Sequence, residues 1–134
     1  MTDKQLIKYA LKARENSYSP YSNYKVGSAL LTKSGKVFLG TNVESCAYSP
    51  SNCSERSAFF SAISNGERDF EKIAIVGSSG DEYAYPCGIC RQVMVELAPN
   101  IKIICAKSPD DYTIVTIKDL LPHPFTPDDV NAVK

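Results

Sequence analysis

The chain has 134 residues, 43% hydrophobic and 22% charged, and its 15 basic residues balance its 15 acidic ones. That length predicts one domain over residues 1–134 with a real core, and the absence of net charge argues against a protein that tracks long nucleic acid or an anionic membrane. No apolar run approaches a membrane span and the N-terminal stretch lacks the apolar segment of a secretory signal, so a cytoplasmic setting is expected, where five cysteines favour metal binding or catalysis over disulfides.

Thr2-Asp3-Lys4-Gln5 reads as a capping box, and Leu6, Ile7, Ala10, Leu11 and Ala13 share one face of a helix running to about residue 16. Residues 25–32 and 37–43 form a predicted hairpin around Lys33-Ser34-Gly35-Lys36, with glycine supplying the turn. Cys53 then opens a second helix, with Ala58, Phe59, Ala62 and Ile63 as its buried stripe and Gly66 as its stop. Residues 70–76 suit a strand buried on both faces, and residues 87–97 a third helix with Val93, Met94 and Leu97 inward. Strands at 101–106 and 112–115 and a short helix at 116–121 follow, and Pro122, Pro124 and Pro127 predict an irregular tail. This order predicts an α/β protein, a three-layer α/β/α sandwich around a mixed five-stranded sheet, because strand-helix-strand units favour parallel crossovers while a hairpin is antiparallel.

Two motifs carry the chemistry. Cys53-Ser54-Glu55 and, one helix and one strand later, Pro86-Cys87-Gly88-Ile89-Cys90 place three thiols and a carboxylate at the starts of two helices. A catalytic zinc site takes three protein ligands and leaves the fourth position to water, so Cys53, Cys87 and Cys90 are the candidate ligands. Glu55, two residues from a ligand, stands where a proton-carrying base belongs. Three thiolates leave Zn²⁺ with a net negative charge that weakens its pull on electrons. The helix N-termini and Arg56, through a hydrogen bond to a ligating sulfur, are expected to offset this.

With these motifs the chain resembles the short cytidine deaminases, whose signature is Cys-x-Glu followed by Pro-Cys-x-x-Cys, and the likeness covers residues 19–125. The resemblance implies a cytidine deaminase-like fold, a zinc cofactor, and hydrolysis of cytidine and deoxycytidine to uridine and deoxyuridine with release of ammonia, a step of pyrimidine salvage. Its partners would be a small pyrimidine nucleoside and water, with no nucleic acid and no membrane. It further implies a homotetramer with sites shared between subunits. In the family, residues matching Asn42 and Glu44 bond the ribose 3'-hydroxyl, and one matching Tyr24, usually Phe, packs on the base. Ser54 stands where Ala is frequent, and the backbone N–H there meets the base carbonyl. Tyr48 would lie near the sugar of an adjacent site and Phe125 would reach a neighbouring subunit's pyrimidine. Ser45-Cys46-Ala47 departs from the usual Asn-Ala-Ser or Asn-Ala-Cys.

Read without the resemblance, Asn42 and Glu44 are ordinary polar residues leaving a strand, and Phe125 is a plain anchor for the tail. Related deaminases of deoxycytidylate, tRNA adenosine and polynucleotide cytosine place His at the first ligand position. The lone histidine here, His123, lies between two prolines and reads as a surface residue. Cys105 reads as core and Cys46 as a loop-packing residue. Three rivals are a thioredoxin-like redox dithiol at Cys87 and Cys90, which leaves Cys53 and Glu55 unexplained, a structural zinc module closed by Cys46 or Cys105, and a deaminase of the cytosine-containing antibiotic blasticidin S, against which the Asn42-Val43-Glu44 run argues for ribose.

Overall fold

The computed structural model describes residues 1–78 and 80–132. The chain starts with helix α1 (Asp3–Arg14), entered through the expected box: Gln5 N–H donates to Thr2 Oγ1 and Thr2 N–H to Gln5 Oε1. Leu6, Ile7, Ala10 and Ala13 are buried, while Leu11 only edges the core. The N-terminus of α1 is tied to the sheet by Asp3, whose carboxylate accepts from Lys72 Nζ at 2.8 Å and Lys102 Nζ at 2.7 Å.

Strand β1 (Gly27–Thr32) turns back into β2 (Val37–Thr41), which ends two residues before the expected point. Helix α2 (Ser54–Ser64), strand β3 (Phe70–Val76), helix α3 (Gly88–Leu97), and strands β4 (Lys102–Ser108) and β5 (Asp111–Val115) follow, then α4 (Ile117–Leu120). The sheet order is β2-β1-β3-β4-β5, with β3 and β4 parallel and every other pair antiparallel. The crossover from β3 to β4 runs through α3, as a parallel connection requires.

Side chains alternate across the pleat and so split the core in two. Leu30, Ile73, Ile75, Ile103 and Cys105 pack with Phe59 and Ala62 of α2 and with Cys90 and Met94 of α3, and the Phe59 ring meets Phe70 edge-on at 5.1 Å. Ala29, Leu31, Ala74, Val76, Ile104 and Ala106 pack with α1 on the other face. Helices on both sides of a mixed five-stranded sheet make the three layers.

Two glycines decide where α2 sits and ends. A Cβ on Gly40 of β2 would overlap the Ser54 carbonyl oxygen and crowd the Ala58 amide, so glycine lets the first turn of α2 rest directly on the β2 backbone. Gly66, at φ +87°, ends the helix in the left-handed region.

Three expectations need correction. Val93 is not inward; it lines a surface groove with Phe60, Gln92, Glu96 and Leu97, and Val95 packs against the core instead. The tail is not wholly irregular, because Pro127 occupies the first turn of α5 (Pro127–Asn131), where its missing N–H costs nothing, and Asp129 bonds back to Thr126 N–H. Cys46 is exposed rather than packed in its loop. His123 is exposed and Cys105 is buried, as expected.

Candidate active site

Cys53 and Cys87 are the N-caps of α2 and α3, both in extended conformation, and Cys90 lies in the first turn of α3. The caps bring the thiols to the ends of two helices that pack on the same face of the sheet. The three Sγ atoms lie within 4.8 Å of one another, and Cys53 and Cys87 are 3.5 Å apart. Tetrahedral Zn–S bonds of about 2.3 Å would set the sulfurs about 3.8 Å apart, so this cluster fits zinc. Neither Cys46 nor Cys105 belongs to the cluster, which leaves three ligands and an open position among the described residues.

The surroundings favour thiolate. Cys87 Sγ accepts from the Cys90 amide at 3.5 Å, and Arg56 Nη2 donates to Cys53 Sγ at 3.4 Å. The hydrogen bond from Cys90, opposed by burial and helped by Arg56, draws the Cys53 thiol down from 9.0 to about 5. The same bond, with burial, pushes Cys90 upward, so without a cation the two thiols oppose one another's ionisation. A cation is what would release the second proton. Burial lowers the affinity of Arg56 for its proton, but the bonds to Cys53 and Cys90 outweigh it and hold the guanidinium firmly charged. Its Nε is buried without a partner, in keeping with a side chain aimed at the sulfur cluster.

Glu55 follows in the first turn of α2 and is only 4% exposed. Burial pushes its carboxyl above the ordinary 4.5, and the hydrogen bond from Ser54 offsets only part of that rise. Ser54 Oγ donates to Glu55 Oε1 at 2.5 Å and lies 2.6 Å from Ser28 Oγ. The segment before Cys87 is clamped by Arg91, which donates from Nε to the Pro86 carbonyl at 2.7 Å and from Nη1 to the Leu120 carbonyl at 3.0 Å.

The other expected residues lie in two groups. Asn42 Nδ2 donates to the Tyr24 carbonyl at 2.7 Å, and its Oδ1 accepts from Val26 N–H at 2.9 Å and from Ser17 Oγ. The Glu44 carboxylate accepts from the amides of Tyr21 and Ser22 and from Ser22 Oγ, and these bonds, the Ser22 hydroxyl first, hold it below the usual carboxylate range. Between them, Val43 pairs with Asn52, the residue before Cys53, so this run is stitched to the first thiol. Tyr24 sets its phenol against Gly77, where a Cβ would collide with the hydroxyl. Tyr48 and Phe125 stand apart, 78% and 62% exposed; Tyr48 has φ +62°, and the Phe125 carbonyl is held by Gln92 Nε2 at 2.6 Å.

Ser28 and Arg91 were not among the expected site residues. A serine inside the apolar run Gly-Ser-Ala-Leu-Leu-Thr was a signal for Ser28, since a buried hydroxyl needs a partner. Nothing local marked Arg91.

Residues 1–106 match the family described as the cytidine and deoxycytidylate deaminase zinc-binding region. A cytidine deaminase of Halalkalibacterium halodurans is 45% identical over 98% of this chain and 99% of its own length. One from Sporosarcina psychrophila is 39% identical over 98% and 96%. The crystal structure of cytidine deaminase from Burkholderia pseudomallei superposes with a TM-score of 0.89 at 47% identity, over 93% of this chain and all of that one. A zinc-fitting trio of thiols on two helix starts, with likeness running the length of both chains, puts this protein in the cytidine and deoxycytidylate deaminase family.

Proposed function

We propose that the chain hydrolyses cytidine and deoxycytidine to uridine and deoxyuridine, releasing ammonia, in pyrimidine salvage. The observation that carries this reading is the meeting of three thiols beside one buried carboxylate. Cys53, Cys87 and Cys90 would hold zinc, and zinc when bound supplies a water whose pKa is lowered toward about 7.

The rest falls to side chains. The C4 amino carbon of cytosine resists attack because the ring is aromatic, so N3 must be protonated as the attacking oxygen arrives. Glu55 takes up a proton from the attacking water and delivers it to N3, then takes the remaining proton from the oxygen added at C4 to the departing amino group, so that ammonia leaves as the C4 carbonyl forms. Burial raises this carboxyl above the ordinary 4.5, so it holds a transferred proton more firmly than a solvated carboxylate would. Arg56 draws charge from Cys53 Sγ and so keeps the site electron-poor. The Ser54 N–H would meet the base carbonyl, the Tyr24 ring would pack on the base, and Asn42 and Glu44 would bond the 3'-hydroxyl. Asn42 and Glu44 are held for this by their backbone partners.

The chain works as a single domain over residues 1–134 in the cytoplasm, as a homotetramer with shared sites. Tyr48 and Phe125 would each serve a neighbouring site, a reading their exposure supports. The test is ammonia release from cytidine, deoxycytidine, cytosine and cytidine monophosphate, measured with zinc per chain and solution mass. Release from both nucleosides by zinc-loaded tetramer is expected. Zinc-loaded protein silent on all four would overturn the function, and an active monomer would overturn the shared sites.

A further inference from the structure

Strand β1 is buried at every position, and Ser28 within it is 0% exposed. A hydroxyl shut away from water needs a partner, and its partner is Ser54 Oγ at 2.6 Å, on the first residue of α2 and equally buried. Ser54 has one proton, which it donates to Glu55 Oε1 at 2.5 Å. With Glu55 ionised, the Ser28 hydroxyl is then the donor to Ser54, and the chain of bonds runs from strand to carboxylate.

Its far end is fixed. Ser28 pairs with Gly40 of β2 on one side and Ile75 of β3 on the other, in a strand bonded along both edges. Gly40 is also where a side chain would collide with the Ser54 backbone, so the same position that flanks Ser28 lets Ser54 come within reach of it. Bonds to a charged acceptor are stronger than neutral ones, and a reacting group held in one rotamer loses less in reaching the transition state.

We infer that Ser54 and Ser28 are positioning residues for Glu55, two buried hydroxyls that moor the proton-carrying carboxylate to the sheet by Oε1 and leave Oε2 to carry the proton. This rests on the role proposed for Glu55. It adds a side-chain task to Ser54, distinct from the backbone N–H that any small residue would offer there.

The test compares zinc-loaded wild type, Ser54→Ala, Ser28→Ala and the double variant in steady-state deamination of cytidine. For Ser54→Ala, kcat falls about tenfold while KM stays within about twofold, a split expected of an interaction that acts on the reacting group and not on binding. Ser28→Ala falls about threefold, and the double variant is no slower than Ser54→Ala, because both residues act along one chain of bonds. Zinc per chain is unchanged in all three. In crystals of Ser54→Ala the Glu55 carboxylate spreads over more than one rotamer. An unchanged kcat for Ser54→Ala at full zinc, or losses that multiply in the double variant, would overturn the inference. If Ser54→Ala does not fold, an unchanged kcat for Ser28→Ala overturns it alone. Inactive wild type would refute the function itself, and the Glu55 rotamers would then decide the mooring separately.

Discussion

Replacing Glu55 with Gln separates proton transfer from everything else the residue does. Gln has the same shape, and its Oε1 can still accept from Ser54 Oγ, now at 2.5 Å, so the pocket that leaves Glu55 4% exposed is not disturbed. What disappears is the capacity to take up and release a proton. General acid–base catalysis contributes about 10²–10⁴-fold per positioned group, and Glu55 is assigned two transfers, so kcat should fall by at least about 10³. Zinc content and the dissociation constant for uridine should hold. A second readout has a definite sign. Burial raises the Glu55 carboxyl in the folded chain, so ionising it costs stability as pH rises through and beyond its ordinary value of 4.5. Zinc-free Glu55→Gln should therefore melt at a higher temperature than zinc-free wild type at neutral pH, with the gap closing in acid. Single-turnover rates within about tenfold of wild type would refute the proton-carrying role. A lower melting temperature at neutral pH would refute the burial reasoning.

Other perturbations follow from the same geometry. Cys87→Ala removes one of the three thiols and should leave zinc well below one per chain by metal analysis. Arg56→Ala strips the charged hydrogen bond from Cys53 Sγ and should weaken zinc retention about 10–100-fold in competition with a chelator. Asp3 is pushed up by burial, but the bonds from Lys102 and Lys72 outweigh that and hold it below its ordinary 3.8. The stabilisation it gives is present above that pH and lost as pH falls through its native value. Asp3→Asn should lower stability by about 1 kcal/mol at pH 7 in urea titrations and narrow the gap from wild type in acid.

Where a signal is local, sequence and structure agree. Thr2 and Gln5 announce the start of α1, Gly35 the hairpin, and the apolar stretch Phe70–Val76 the strand. The zinc motif was equally legible, because ligand spacing and helix caps are short-range facts. Val93 was misread because it lies three residues from Cys90, at the margin of the buried face that Cys90 and Met94 define four residues apart. The last helix was hidden because three prolines read as breakers, although Thr126 and Asp129 frame a cap around Pro127. Cys46 had no periodic neighbours to place it. The meeting of Asp3 with Lys72 and Lys102, and of Ser28 with Ser54, joins segments far apart in the chain, and only the sheet order brings them together.

Because Cys53 and Cys87 are 34 residues apart and each begins a different helix, an ion held by both would fasten two distant segments as a disulfide does, yet without any oxidant. Such a fastening is reversible and concentration-dependent: metal held at a hundred times its dissociation constant adds about 2.7 kcal/mol of stability, and a scarce supply adds almost none. That stabilisation belongs to the folded domain as a whole, although the direct tie would fall on α2 and α3, on the face of the sheet opposite α1.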